Sequence, residues 1–147
     1  MTTPPIETSR LNMRLVQETD ANEIFDGWAT DPDVTKFMRW NVHESIDVTM
    51  EWIARTRQTS DCDATYDWIF VCKATGELCG SGGIFYNNTK GMMEMGYCLR
   101  KSHWGRGLAT EAAMAMLNFA VNTLGKKELF ICHAIDNPAS GKVIEKL

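Results

Sequence analysis

Residues 100–125 read RKSHWGRGLATEAAMAMLNFAVNTLG, and the change of character at Gly105 and Gly107 decides the fold. Downstream, Ala109, Ala112, Met116, Phe119, Ala120 and Leu124 recur on one face at helical spacing and Gly125 supplies a stop, so a long helix is expected. Upstream, residues 92–100 read as a strand. The chain therefore turns through two glycines into a helix N-terminus, where several amide N–H groups lack internal partners and the helix dipole adds partial positive charge. Glycine lets the backbone bend tightly and approach a ligand without a β-carbon in the way. With Arg100, Lys101 and Arg106 around it, the turn reads as an anion site with pyrophosphate as its natural guest. A plain strand-to-helix turn beside solvated charges accounts for the same residues equally well. A dinucleotide fingerprint does not, because Thr110 stands where a third glycine is required, and no Gly-Lys-Ser/Thr follows to make a triphosphate loop.

Working outward, residues 67–72 (DWIFVC) read as a buried strand, 73–77 as a turn, and 78–86 as a second strand loosened by Gly80, Gly82 and Gly83. A further turn over 87–91 leads into 92–100, giving an antiparallel meander. Residues 129–135 form another strand, and the helix before it makes it parallel to 92–100. At the front, residues 10–16 suit a first strand. Asp20, with Glu23 three residues on, is expected to cap a helix through Ile24, Phe25 and Trp28, and a second helix starts at Ser45 with Val48, Trp52 and Ile53. Asn137 or Asp136 caps a last helix, with Pro138 at its first position, running to Leu147. The order β-α-α-β-β-β-α-β-α places the chain in the mixed α+β class, and nothing divides residues 1–147 into more than one domain.

The composition excludes several functions. The 147 residues are 44% hydrophobic and 23% charged, an ordinary globular balance. Fifteen basic residues against 19 acidic ones give a net charge of −4, which argues against a nucleic-acid backbone binder and suits a cationic substrate. The longest apolar run, residues 112–117, is far short of the roughly 20 residues of a membrane span, and MTTPPIETSR is no signal peptide. Five cysteines (Cys62, Cys72, Cys79, Cys98, Cys132) show no Cys-x-x-Cys spacing and read as reduced thiols of a cytoplasmic protein, and no residue set has metal-ligand spacing.

Met95-Gly96-Tyr97-Cys98-Leu99 followed by Trp104-Gly105-Arg106-Gly107-Leu108-Ala109-Thr110-Glu111-Ala112 resembles the acyl-CoA signature of the GNAT N-acetyltransferase superfamily. Asn137-x-x-Ser140 with Val143-Ile144-Glu145-Lys146-Leu147 resembles that family's next segment. Asp31-Pro32-Asp33-Val34, Trp40 and the Trp104–Ala112 block are similar to the branch that acetylates ribosomal-protein N-termini. The resemblance covers residues 7–147. It implies a central, mostly antiparallel twisted sheet with helices on both faces and two splayed parallel strands forming an acyl-CoA cleft. The family's loop pattern, Gln/Arg-x-x-Gly-x-Gly/Ala, falls on Gly107 and Ala109, with Trp104 at its first position. Acetyl-CoA is the implied cofactor, its pyrophosphate bound by amides of Trp104, Gly105, Arg106, Gly107, Leu108, Ala109 and Thr110. Its pantetheine is expected to pair along Tyr97, Cys98 and Leu99, with Asn137 near it or capping the last helix.

The implied reaction is acetyl transfer to a primary amine, a peptide N-terminus or a small molecule, by direct attack in a ternary complex. A non-catalytic acyl-CoA-binding domain is the alternative. The reaction needs an N–H donor for the carbonyl oxygen, which the resemblance places near Cys98–Leu99, together with a base and an acid. Glu94 is the best carboxylate for the base, since alternation puts it on one face with Met92, Gly96 and Cys98; a solvated charge on the sheet's outer face is the competing reading. His133 is a further candidate, though a lone strand histidine is more often structural, and His103 suits an anion contact. The family's usual acid, a tyrosine in the last helix, falls on Ile144; Ser140 is the implied replacement, or else a local cap. Trp28, Trp52 and Trp68 read as core, whereas Trp40 is either packing or a wall of the acceptor cleft. The family normally continues with two more strands beyond the segment ending at Leu147. Their absence implies an open sheet edge, and with it a homodimer or an inactive truncated domain.

Overall fold

Six strands form one sheet in the order β1 to β6: β1 (Ile6–Glu7), β2 (Leu11–Arg14), β3 (Thr65–Cys72), β4 (Leu78–Asn87), β5 (Met92–Leu99) and β6 (Leu129–Ile131). This is a computed structural model, and it describes residues 3–35, 41–60, 65–88, 91–125 and 129–131. The first five strands are antiparallel, and β6 runs parallel to β5, as the helix between them requires. The expected strand over 132–135 and the expected last helix lie outside the described residues.

Alternation along the strands sorts the side chains into two cores. Met13, Trp68, Phe70, Met93 and Met95 point to one face and meet Ala112, Met116 and Phe119 of α4 (Leu108–Asn118) and the wider helical turn that extends it over Phe119–Thr123. Ile69 and Cys98 point to the other face, where Ile24 of α1 (Ala21–Ile24), Trp28 and Ile53 of α3 (Ile46–Thr59) cover them. Trp28 and Trp68 are fully buried, as their sequence settings predicted. The three cysteines among the described residues, Cys72, Cys79 and Cys98, are free thiols, and burial pushes Cys79 up to about 12. Cys62 and Cys132 lie outside the described residues. No described helix is long and apolar enough to cross a membrane.

One local expectation is corrected. Asp20 stands at the N-cap position of the first helix, as expected, but its side chain does not cap it: the carboxylate accepts two bonds from Arg14 (2.8 and 2.9 Å) and one from the Gln17 backbone amide. A buried carboxylate gains more from a guanidinium than from a second amide, so the chain enters α1 through a tight turn over Glu18–Asp20 and leaves it through a widened turn over Phe25–Ala29. Short elements also went unpredicted, namely β1 and α2 (Pro32–Thr35), which are too short to show a period. Ser45 does precede α3, as expected.

Gly82 lets α4 lie close to the sheet. A Cβ there would stand 2.7 Å from Phe70 Cζ, 2.9 Å from the Gly96 carbonyl oxygen and 3.1 Å from Met116 Cε. Gly82→Ala is expected to cost about 2 kcal/mol by overpacking, or about 5 °C of Tm. Thermal unfolding followed by circular dichroism measures this, and an unchanged Tm would mean that Phe70 and Met116 yield without cost.

Candidate functional site

The turn between β5 and α4 has the backbone that its glycines require. Gly105 and Gly107 both lie in the left-handed region, at φ +75° and +77°, where a β-carbon is disfavoured. Gly107 is the residue before α4 and offers no side chain to occupy the free amides of the first turn, so these remain open to an anion. A Cβ at Gly105 would meet nothing within 4 Å, which leaves open space above the loop. Trp104 stands 42% exposed and donates its indole N–H to the Leu99 carbonyl at 2.9 Å, tying the loop to the end of β5. Leu108 is buried and roots the helix start, Ala109 and Thr110 are half-buried, and Arg106 is exposed.

Of the expected cations, two are engaged elsewhere. Lys101 pairs with Asp33, and the Arg100 side chain lies over Gly27, 3.9 Å from Glu77. His103 is corrected as an anion ligand: it is buried, with Nε2 3.9 Å from Glu77, and burial first and Arg106 second lower its pKa. A cation that the sequence reading missed takes their place. Arg10, at the entry to β2, donates Nη1 to the Arg106 carbonyl (2.7 Å) and Nε to Glu111 (2.7 Å), and its Nη2 lies 3.4 Å from where a Gly107 Cβ would be. The other Glu111 oxygen accepts the Arg10 amide at 2.9 Å and the Thr8 hydroxyl. Burial works to raise the Glu111 carboxyl, but the bonds from Thr8 and Arg10 outweigh it and hold it below the usual glutamate range. These partners are 101 residues apart in sequence, so no local signal announces them.

The sheet face under α1 and α3 carries the other polar groups. Glu94 is 1% exposed, which removes the solvated outer-face reading, and it shares this face with Gly96 and Cys98 as alternation predicts. Cross-strand register puts Asp67, Ser81, Gly83 and Phe85 on the same face. The Ser81 hydroxyl lies 3.5 Å from the buried Cys98 thiol. Ser81 also lines a cavity of about 420 Å³ with Trp28, His43, Glu44, Trp52 and Arg55. His43 Nδ1 is 2.7 Å from the Thr49 hydroxyl, and burial first and Arg55 second lower its pKa, which keeps the ring neutral near pH 7. Tyr97 is half-buried and Leu99 buried on β5. The described β5–β6 pairing covers Met93–Met95, and no described strand pairs with that edge of residues 96–99. Asn137, Ser140, His133, Ile144 and Trp40 lie outside the described residues. Among the described residues no group of side chains is arranged to hold a metal ion.

The sheet with its one parallel pair and the glycine turn into α4 are what the GNAT acetyltransferase resemblance implies. The chain belongs to the GNAT acetyltransferase family: residues 10–147 match the family model described as an acetyltransferase (GNAT) domain. It is similar to YkkB of Bacillus subtilis, with 31% identity over 95% of this chain and 81% of that protein. It is also similar to the N-acetyltransferase p20 of Bacillus licheniformis, with 26% identity over 95% and 79%. Its fold resembles that of a GNAT-family acetyltransferase from Bacillus anthracis (TM-score 0.82, 19% identity, 97% of this chain and 81% of that one). It also resembles RimL, a ribosomal L7/L12 alpha-N-protein acetyltransferase in complex with coenzyme A (TM-score 0.84, 16% identity, 97% and 82%). GNAT acetyltransferases use acetyl-CoA.

Proposed function

We propose that the chain transfers an acetyl group from acetyl-CoA to a primary amine, by direct attack while both are bound. The observation that carries this reading is the pair of left-handed glycines opening α4 beside the end of β5. The residues present fit the cofactor: the open space above Gly105 admits a diphosphate, and Arg106 and Arg10 bring positive charge to it. The amides of Trp104 to Thr110 hold the diphosphate, and the backbone of Tyr97, Cys98 and Leu99, with Asn137, orients the pantetheine. Acetyl-CoA supplies, when bound, an activated thioester carbonyl. An amide near Cys98–Leu99 donates to that carbonyl oxygen, Glu94 takes the proton of the amine, and Ser140 donates to the departing sulfur. Holding the amine against the carbonyl supplies much of the acceleration by orientation alone.

The acceptor enters from the cavity beside Ser81, on the face that also carries Glu94. A peptide N-terminus is one candidate acceptor, supported by the fold shared with RimL, and a small amine is the other. Calorimetric titration with CoA, followed by thiol release from acetyl-CoA with a panel of amines and short peptides, tests the reading. Binding with turnover supports it. Binding with no turnover on any amine favours a non-catalytic acyl-CoA-binding protein, and no binding at all removes the loop assignment.

Glu111→Ala takes away the acceptor that holds Thr8 and Arg10 on the loop, and is expected to weaken CoA about tenfold, the scale of a charge-assisted hydrogen bond. The sign with pH follows from the depressed Glu111 pKa. The clamp contributes stability above the ordinary glutamate pKa and loses it as pH falls through the lower folded value. Acidification below about pH 4.5 should therefore weaken CoA binding by the wild type more than by Glu111→Ala, and parallel titration curves for the two would count against the clamp.

A further inference from the structure

Asp67 is a half-buried carboxylate with no role in the chemistry above. It lies in one row across the sheet with Gly83 and Gly96. On the same face, the row Ile69–Ser81–Cys98 runs on one side of it and the row Thr65–Phe85–Glu94 on the other. A Cβ at Gly83 would fall on Asp67 Oδ1, so the carboxylate occupies the volume that this glycine leaves empty and reaches from β3 over β4. Beyond it, a Cβ at Gly96 would meet only Phe85 Cε1, at 4.0 Å. The strand spacing puts the Asp67 and Gly96 Cα atoms about 10 Å apart, and Gly83 between them carries no side chain of its own. The result is a gap over Gly96, bounded by the Asp67 carboxylate, Glu94 and Cys98.

Among the described residues no cation and no hydrogen-bond donor pairs with Asp67, although such carboxylates are normally paired when buried. Burial alone pushes its carboxyl up to about 6. At neutral pH it is thus mostly charged and poorly solvated, a state that a bound cation relieves.

We propose that Asp67 is the anchor for the acceptor's ammonium group, holding it over the Gly83–Gly96 floor within reach of Glu94. The inference rests on the acetyl-transfer reading and narrows it: the acceptor is an amine that arrives protonated, bound as an ion pair in a small gap, so aliphatic amines and diamines are preferred to weakly basic aromatic ones. Glu94 takes the first proton of the ammonium and so frees the amine to attack. The second is lost from nitrogen as the C–N bond forms and the C–S bond breaks, and it balances the proton that the leaving thiolate gains, while Asp67 contributes binding.

The test has two arms. In the first, initial rates with acetyl-CoA and a panel of aliphatic amines, 1,4-diaminobutane and short peptides with free N-termini are compared for the wild type and Asp67→Asn. The expected result is a rise of about 30-fold in KM for the amine, the size of one charge-assisted bond, with kcat changed less than threefold and CoA affinity unchanged. An amine KM within twofold of the wild type would overturn the proposal. In the second arm, 1,4-diaminobutane alone is titrated while thermal unfolding is followed. A Tm increase in the wild type that is lost in Asp67→Asn supports the ammonium site even if CoA fails to bind, which would be a failure of the transfer reading instead. No shift in the wild type at millimolar amine overturns it. The same scans guard against a purely structural role: Asp67→Asn without ligand should unfold at the wild-type temperature or above, whereas a lower Tm together with an unchanged amine KM would make Asp67 a structural residue.

Discussion

Gly107→Glu is expected to lose at least about 100-fold in affinity for CoA in a calorimetric titration, with the sheet intact. Three effects add. Gly107 sits at φ +77°, where an L side chain costs about 1–2 kcal/mol. Its β-carbon would stand 3.4 Å from Arg10 Nη2, so the new carboxylate competes with Glu111 for the guanidinium that holds the loop. Negative charge would then stand at the proposed diphosphate site, and repulsion at that range costs further affinity. Gly107→Ala separates the causes, because it keeps the strain without the charge and should lose only about tenfold. Full-strength CoA binding by Gly107→Glu would mean that the diphosphate is held elsewhere.

Glu94→Gln has the second largest expected effect, a drop in turnover of about 10²–10⁴-fold with CoA affinity unchanged. The glutamine keeps the shape and the hydrogen-bonding capacity of the site but cannot accept the amine proton. Because Glu94 is almost completely buried beside Gly96, a water-borne base does not easily replace it. The discriminating measurement is the pH–rate profile. A turnover lowered by that factor across pH 6 to 9 marks Glu94 as the base, whereas matching rates for the two proteins over that range would remove it from that role. Asp67→Asn, by contrast, should move KM rather than kcat. The two variants therefore assign separate tasks to two carboxylates that face one glycine floor.

The legible part of the fold is the part with a period. Strands β3, β4 and β5 were read within a few residues because buried strands announce themselves as apolar runs between turn residues. The start of α4 was read because two glycines mark a tight turn just before an apolar face at helical spacing. Asp20 misled because an acidic residue before an apolar run looks like a cap until Arg14 is seen to claim it. Alternation placed Glu94 on the face with Cys98, but whether that face is wet or dry depends on what α1 and α3 cover.

By itself, then, the sequence determined the alternation of strands and helices, the parallel placement of β6 and the glycine turn before α4, since each follows from local patterns and from the order of elements along the chain. The tertiary structure alone decided which cation guards that turn, that Glu94 is dry, and that Asp67 lies over a glycine of the neighbouring strand. Arg10 and Glu111 meet across 101 residues, and Asp67 meets Gly83 through strand register. Contacts of that kind are set by how elements pack, and a one-residue slip of β3 would have sent Asp67 to the opposite face of the sheet.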